Sequence, residues 1–289
     1  MKAPALSYKR AESVSQVLDI LAEYGDEARI LAGGQSLMPT LNMRLSKPSL
    51  LIDINHLDPL KGISVEDEIV HIGALARHAE VMRSSIIAEN LPLIAKAIPH
   101  VAHVAIRNRG TFGGSIALAD PAAELPACVL ALDAIIVVES TRGRRDIPAR
   151  NYFKGLFETE RKPDELLMEV RIPTIGRNSF HFFSELSRRQ GDFAIAGVAC
   201  VAEVYGDTIS KAQLIYFASE DRPTLAAKAV AAITERPWSE IVRAAALEAL
   251  GDDLDPIANL QGSAEFKLHL QRVLTGRALD EIMAWTRAR

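Results

Sequence analysis

Leu31-Ala32-Gly33-Gly34-Gln35-Ser36-Leu37 and Thr111-Phe112-Gly113-Gly114-Ser115-Ile116-Ala117 share one pattern, a glycine pair followed at once by Ser or Gln-Ser. Glycine has no Cβ, so main-chain N–H groups at such a pair can approach an anion closely, and the hydroxyls beside them add donors. A diphosphate suits such a nest. Seventeen glycines in 289 residues give roughly one adjacent pair by chance, so the pairs alone decide nothing; the residues after them give them weight. Neither stretch continues into Gly-Lys-Ser/Thr and neither matches Gly-x-Gly-x-x-Gly, which sets aside P-loop and dinucleotide Rossmann units.

Around the first stretch, residues 13–24 carry Val14, Val17, Leu18 and Leu21 at helical spacing and stop at Gly25. Residues 29–32, 50–54 and 69–75 read as short strands, and this alternation predicts α/β organisation. Residues 77–99 are predicted mostly helical, and Arg107-Asn108-Arg109-Gly110 is a turn leading into the second stretch. Asp120-Pro121 reads as an N-cap with proline at the first helical position, opening a helix through Leu132. Residues 134–139 and 166–172 are strand-like, and Pro173-Thr174-Ile175-Gly176-Arg177 marks a domain border near residue 176. Beyond it, 180–186, 194–204 and 208–217 read as strands, the last two joined by Gly206-Asp207 as a hairpin turn. Helices over 223–233, 239–250 and 264–288 then cover that sheet, and the chain as a whole is of the α+β class.

The composition, 48% hydrophobic and 24% charged, excludes disorder, collagen and coiled coil, and the length suits two domains. A net charge of -4 without long runs of either sign gives no nucleic-acid footprint. The first ten residues lack an apolar core, and the longest apolar stretch, 127–138, is interrupted by Asp133, so neither a signal peptide nor a membrane span is expected. Cys128 and Cys200 lie in apolar runs as buried thiols, too few for a four-cysteine iron–sulfur cluster, and a cytoplasmic location is expected. His100 and His103 lack further ligands, so no metal site is expected, and Asp53 reads as capping a turn. No Ser/His/Asp, Cys/His or paired-carboxylate constellation supplies a catalytic side chain.

Ala32 to Leu37, Ile106 to Thr111, and Gly113 to Ala117 with Asp120-Pro121 closely resemble the FAD-binding medium subunit of molybdenum hydroxylases of the carbon monoxide dehydrogenase and xanthine dehydrogenase type. Leu51-Ile52-Asp53-Ile54, Pro163-Asp164-Glu165-Leu166-Leu167, Arg188-Arg189 and Gly191-Asp192-Phe193-Ala194 extend the resemblance, in order, along nearly the whole chain. It implies a PCMH-type (vanillyl-alcohol-oxidase-like) FAD-binding domain over 1–176, built of two α/β subdomains at about 1–55 and 56–176. A C-terminal sheet-and-helix domain of the carbon monoxide dehydrogenase flavoprotein type would follow over 177–289.

The same resemblance implies that Leu31, Ala32, Gly33, Gly34, Gln35, Ser36 and Leu37, with Thr111, Gly113, Gly114 and Ser115, cradle the FAD diphosphate through main-chain donors, and it adds Val101 to the cofactor contacts. Glu124 would lie near the ribose or diphosphate, or be an ordinary first-turn carboxylate; Leu167 would pack on the flavin ring, or be a core strand residue. Asp120 would be a further contact or only an N-cap. Phe193 stands where some relatives carry Tyr, either beside the isoalloxazine without the phenol donor or packed against the strand at Ala194. Arg188 and Arg189 would dock an acidic partner, stabilise flavin charge or simply be solvated. The implied partners are a molybdenum-cofactor large subunit that oxidises substrate and a 2Fe–2S small subunit that passes electrons to this flavin, assembled as a dimer of heterotrimers. Oxygen, a quinone or a pyridine nucleotide would take the electrons. The rival readings are a self-contained flavin oxidase, which needs a substrate pocket with a placed base, and a scaffold subunit that has lost FAD.

Overall fold

Ser13 starts the first helix: its hydroxyl accepts from the Gln16 N–H at 3.2 Å, and Gly25, at φ 50°, ends it. In the computed structural model, which describes residues 2–176 and 178–287, this helix α1 (Val14–Tyr24) follows strand β1 (Ser7–Arg10) and precedes β2 (Ala28–Leu31), α2 (Leu37–Asn42) and β3 (Leu50–Asp53). The three strands form a parallel sheet in the order β1-β3-β2, covered by Val17, Leu18, Ile20 and Leu21 of α1. The first glycine stretch leaves the C-terminal end of β2, the end of a parallel sheet where ligands commonly sit.

Next come β4 (Ile63–Glu66) and β5 (Ile69–Gly73), then a run of short helices: α3 (His78–Arg83), α4 (Ser85–Asn90), α5 (Pro92–Ala97), α6 (Val104–Arg107), α7 (Phe112–Leu118) and α8 (Glu124–Ala131). β6 (Ile135–Ser140), β7 (Gly143–Pro148), α9 (Ala149–Tyr152), the hairpin β8 (Phe153–Gly155) and β9 (Glu158–Thr159), and β10 (Leu166–Pro173) complete this part. Its antiparallel sheet runs β4-β5-β10-β6-β7. The C-terminal part is a meander of β11 (Ser179–Leu186), β12 (Ala196–Tyr205), β13 (Thr208–Phe217) and β14 (Thr224–Leu225), followed by α10 (Ala227–Ile233), α11 (Glu240–Asp253) and α12 (Ala264–Arg287).

Both faces of the meander are buried. Along a strand the side chains alternate, so Phe182, Val198, Cys200, Leu214 and Tyr216 face a core shared with α10 to α12. Phe183, Ala199, Ile215 and Phe217 face the core that also holds Leu93 of α5 and Leu125 of α8. This is why the strands read as continuous apolar runs.

Several expectations need correction. The segment 77–99 is mostly helical as expected, though divided into three helices, because Ser84 N-caps α4 and Pro92 cannot continue it. Asp120 caps no helix: α8 begins only at Glu124, and the Asp120 carboxylate closes a turn by accepting from the Ala122 N–H at 2.9 Å. The helix expected over 223–233 starts at Ala227, since Thr224–Leu225 pairs with β13 instead. Strands β1, β4 and β7 escaped sequence reading because all three are largely exposed edge strands without apolar alternation. Arg177, in the expected border, and Ala288, the expected end of the last helix, lie outside the described residues.

Candidate functional site

The first glycine stretch is a tight turn between β2 and α2. Gly34 sits at φ 72°, a region side-chain-bearing residues avoid, and the Gln35 side-chain amide donates to the Gly33 carbonyl at 3.0 Å. Among the described residues no acceptor takes the N–H groups of Gly33, Gly34, Gln35, Ser36 or Leu37, so five consecutive main-chain donors are free. That row is a nest for an anion, set against the N-terminal turn of α2.

The second stretch is not a loop but the start of α7, and its donors are mostly spent. Phe112 and Gly113 N–H groups donate to Ala76 and Ala74 carbonyls at 2.8 and 3.0 Å, which docks the turn on the segment after β5. The Gly114 N–H donates to the Thr111 hydroxyl at 3.1 Å, the N-cap of α7. A Cβ on Gly113 would lie 2.6 Å from Ala74 Cα, so this glycine serves backbone packing, whereas Gly114 is exposed. The parts of the turn open to a ligand are therefore Gly114 and the Ser115 hydroxyl, rather than the whole row of main-chain donors expected from sequence.

The two stretches meet. A Cβ on Gly33 would fall 2.4 Å from the Arg109 carbonyl oxygen and 2.8 Å from Gly110 Cα, so the first turn rests directly on the residues that lead into the second. The remaining sequence-expected residues lie along the seam with the C-terminal sheet. Glu124 is 7% exposed, and burial, with the Glu185 and Asp120 charges adding to it, pushes its carboxyl up to about 8 despite His100 nearby. His100 Nδ1 lies 3.3 Å from Glu185 Oε1, and this hydrogen bond raises the imidazole pKa. Val101 is buried, and its carbonyl accepts from the Arg107 guanidinium at 2.9 Å. Leu167 is a buried residue of β10, the strand on which α7 packs. Phe193 is 60% exposed, so it is not packed against the strand that follows. The preceding Gly191, at φ 83°, has no room for a Cβ against the His103 ring, which seats the 187–193 loop on the turn after α5. Arg188 donates to the Leu260 carbonyl at 3.0 Å and so tethers that loop to the C-terminal part. Asp53 caps its turn as expected, accepting from the Asn55 N–H at 2.9 Å.

Sequence reading missed Asn55, Arg77 and His78, which hold the two turns from behind. The His78 ring nitrogen Nε2 lies 2.9 Å from the Thr111 carbonyl, and burial lowers this histidine's pKa to about 4, so it stays neutral. Nothing in a lone His at a helix start flags this role. Among the described residues no group of three His, Cys, Asp or Glu is placed to hold a metal, and no helix is long and apolar enough to cross a membrane. A groove of about 780 Å³ beside the N-terminus of α1, lined by His56, Asp58, Glu139 and Arg144 among others, shares no residue with the glycine turns.

Residues 4–175 match the family of FAD binding domains in molybdopterin dehydrogenase, and 181–282 match the carbon monoxide dehydrogenase flavoprotein C-terminal domain. The chain belongs to the FAD-binding medium subunits of the molybdenum hydroxylases. It is 40% identical over 284 residues to the 6-hydroxypseudooxynicotine dehydrogenase complex subunit alpha of Paenarthrobacter nicotinovorans, covering 98% of this chain and 96% of that one. Among solved structures it resembles a carbon monoxide dehydrogenase from Hydrogenophaga pseudoflava lacking the Mo-pyranopterin moiety, with a TM-score of 0.95, 34% identity and 99% of each chain covered. Quinoline 2-oxidoreductase from Pseudomonas putida 86 matches with a TM-score of 0.92, again at 34% identity and 99% of each chain. The cofactor of this medium subunit is FAD, and its relatives are subunits of multi-subunit dehydrogenases. A free row of N–H groups on a glycine turn, with a second helix start against it, fits the diphosphate of that cofactor.

Proposed function

We propose that this medium subunit carries electrons between a 2Fe–2S small subunit and an external acceptor, while a molybdenum-cofactor large subunit oxidises the substrate. The complex is a dimer of such heterotrimers. The observation that carries this reading is the row of five free main-chain donors over Gly33 to Leu37, seated on Arg109 and Gly110. On it, Leu31, Ala32, Gly33, Gly34, Gln35, Ser36 and Leu37 grip the diphosphate, with Gly114 and the Ser115 hydroxyl closing the far side and Thr111 and Gly113 holding that turn in place. Val101, Asp120, Glu124, Leu167 and Phe193 line the path of the rest of the cofactor. Bound FAD supplies the redox chemistry, accepting electrons singly and releasing them in pairs. The protein's part is to bind and orient it and to set its exposure, for which the exposed Phe193 ring is the natural cover.

The proposed domain limits are 1–176 for the FAD-binding domain, divided at about residue 55, and 177–289 for the C-terminal domain; the separate sheets support them. Two free buried cysteines support a reducing, cytoplasmic setting. The test is to purify the chain, record its visible spectrum and add either a chemically reduced 2Fe–2S partner or a panel of small organic substrates without oxygen. Bleaching only by the partner is expected. Bleaching by a small molecule alone would make the protein a self-contained oxidase, and no flavin even after FAD is supplied would sink the assignment.

A further inference from the structure

Behind the two glycine turns runs a continuous chain of hydrogen bonds. Asn55, just after β3, donates through Nδ2 to the Ala32 carbonyl at 2.9 Å, to the Leu31 carbonyl at 3.3 Å and to Asp53 Oδ1 at 2.7 Å. Its remaining polar atom, Oδ1, accepts from Arg77 Nη2 at 2.6 Å. The other arm of the same guanidinium, Nη1, donates to the Arg109 carbonyl, the atom on which Gly33 rests. The Arg77 backbone N–H is held in turn by Glu80 Oε2 at 2.8 Å, and Asp53 is fixed by the Tyr8 hydroxyl at 2.6 Å. One planar fork thus spans the gap between the carbonyls that shape the first turn and the carbonyl at the entrance to the second.

The geometry points to Arg77 and Asn55 as positioning residues that set the spacing of the two glycine turns, and through it the grip on a diphosphate. This deepens the FAD reading and rests on it. Gly33 has no side chain to hold it, and its turn keeps five donors unpaired, so without an external brace the row of donors is free to drift from the second turn. A lysine cannot do the same work, because its ammonium is a point donor without the fork that reaches two acceptors at fixed spacing. Burial of the Arg77 guanidinium, with the Arg109 charge beside it adding to the effect, lowers the Arg77 pKa.

The experiment is a titration of the FAD-free full chain with FAD and, separately, with ADP, for the wild type, Asn55→Ser, Arg77→Met, Arg77→Lys and the Asn55→Ser/Arg77→Met pair. Thermal melts of each FAD-free protein accompany it. Each single change is expected to weaken FAD and ADP alike by about ten- to a hundredfold, the range for losing a hydrogen bond to a charged group. Arg77→Lys is expected to recover only part of this. The double variant should be no weaker than the worse single one, since both break the same link. Penalties that multiply, unchanged affinities, or a loss of affinity matched by an equal loss of melting temperature in the FAD-free chain each overturn the proposal. A wild-type chain that binds neither FAD nor ADP overturns the FAD reading itself.

Discussion

Glu124 is a carboxylate that the fold keeps protonated. An unfolded glutamate titrates near ~4.3, whereas in the folded, FAD-free chain burial pushes Glu124 up to about 8. Between those values the unfolded chain has released the proton and the folded one has not, so stability falls as pH rises and levels off above the folded value. The Glu124→Gln variant lacks this slope. Its melting temperature is expected to match wild type near about pH 4 and to exceed it by several degrees near about pH 8, read by calorimetry on the FAD-free protein. His100 adds a loss of the same sign: its raised folded pKa gives stability that is complete below the unfolded value and disappears as pH climbs through the folded one. The slope left in Glu124→Gln on the alkaline side of the unfolded histidine value should therefore shrink when His100→Gln is added. Gly33→Ala is a different kind of lesion. Its Cβ would meet a backbone carbonyl at 2.4 Å, which cannot rotate away, so a cost of about 1–3 kcal/mol in denaturant unfolding and loss of bound FAD from purified protein are expected together.

At the scale of elements, α7 carries much of the site, because its first turn docks on the segment after β5 and faces the first glycine turn. Thr111→Val keeps the shape of the cap and removes the oxygen that accepts the Gly114 N–H, so about 1 kcal/mol of stability should go; Thr111→Ser should keep it, as equilibrium unfolding will show. The long elements were legible in sequence because their apolar spacing is a direct image of what they bury: α1, β10, β12, β13 and the hairpin at Gly206-Asp207 all stand close to where their residues put them. The glycine pairs were legible as a pattern, but their division of labour was not. Gly34 and Gly113 look alike in sequence, yet one is needed for its positive φ and the other for the nearness of Ala74, a contact between residues far apart in the chain. Asn55 and Arg77 were invisible for the same reason. A helix-starting arginine and a post-strand asparagine carry no mark of the carbonyls they will meet.

For the molecule as a whole, the C-terminal sheet joins the two halves, since one of its faces belongs to a core built jointly with α5 and α8. Phe217 lies at that junction, fully buried and stacked on Phe183 with ring centroids 5.6 Å apart. Phe217→Ala is expected to cost about 3–5 kcal/mol in denaturant unfolding. It should also weaken FAD binding at a distance, because Glu124 and Leu125 head the helix that packs on β13.

The two cysteines give the chain a pair of internal clocks. Cys128 stands in α8 and Cys200 in β12, on opposite sides of that junction; neither has any exposed surface, and burial raises the Cys128 thiol and takes Cys200 up to about 12. A folded thiol so placed does not react, which makes alkylation by a maleimide a record of how often each neighbourhood opens. Mass spectrometry of the two peptides over time would resolve breathing of one half from breathing of the other, with no label to engineer. FAD is expected to slow the Cys128 clock more than the Cys200 one.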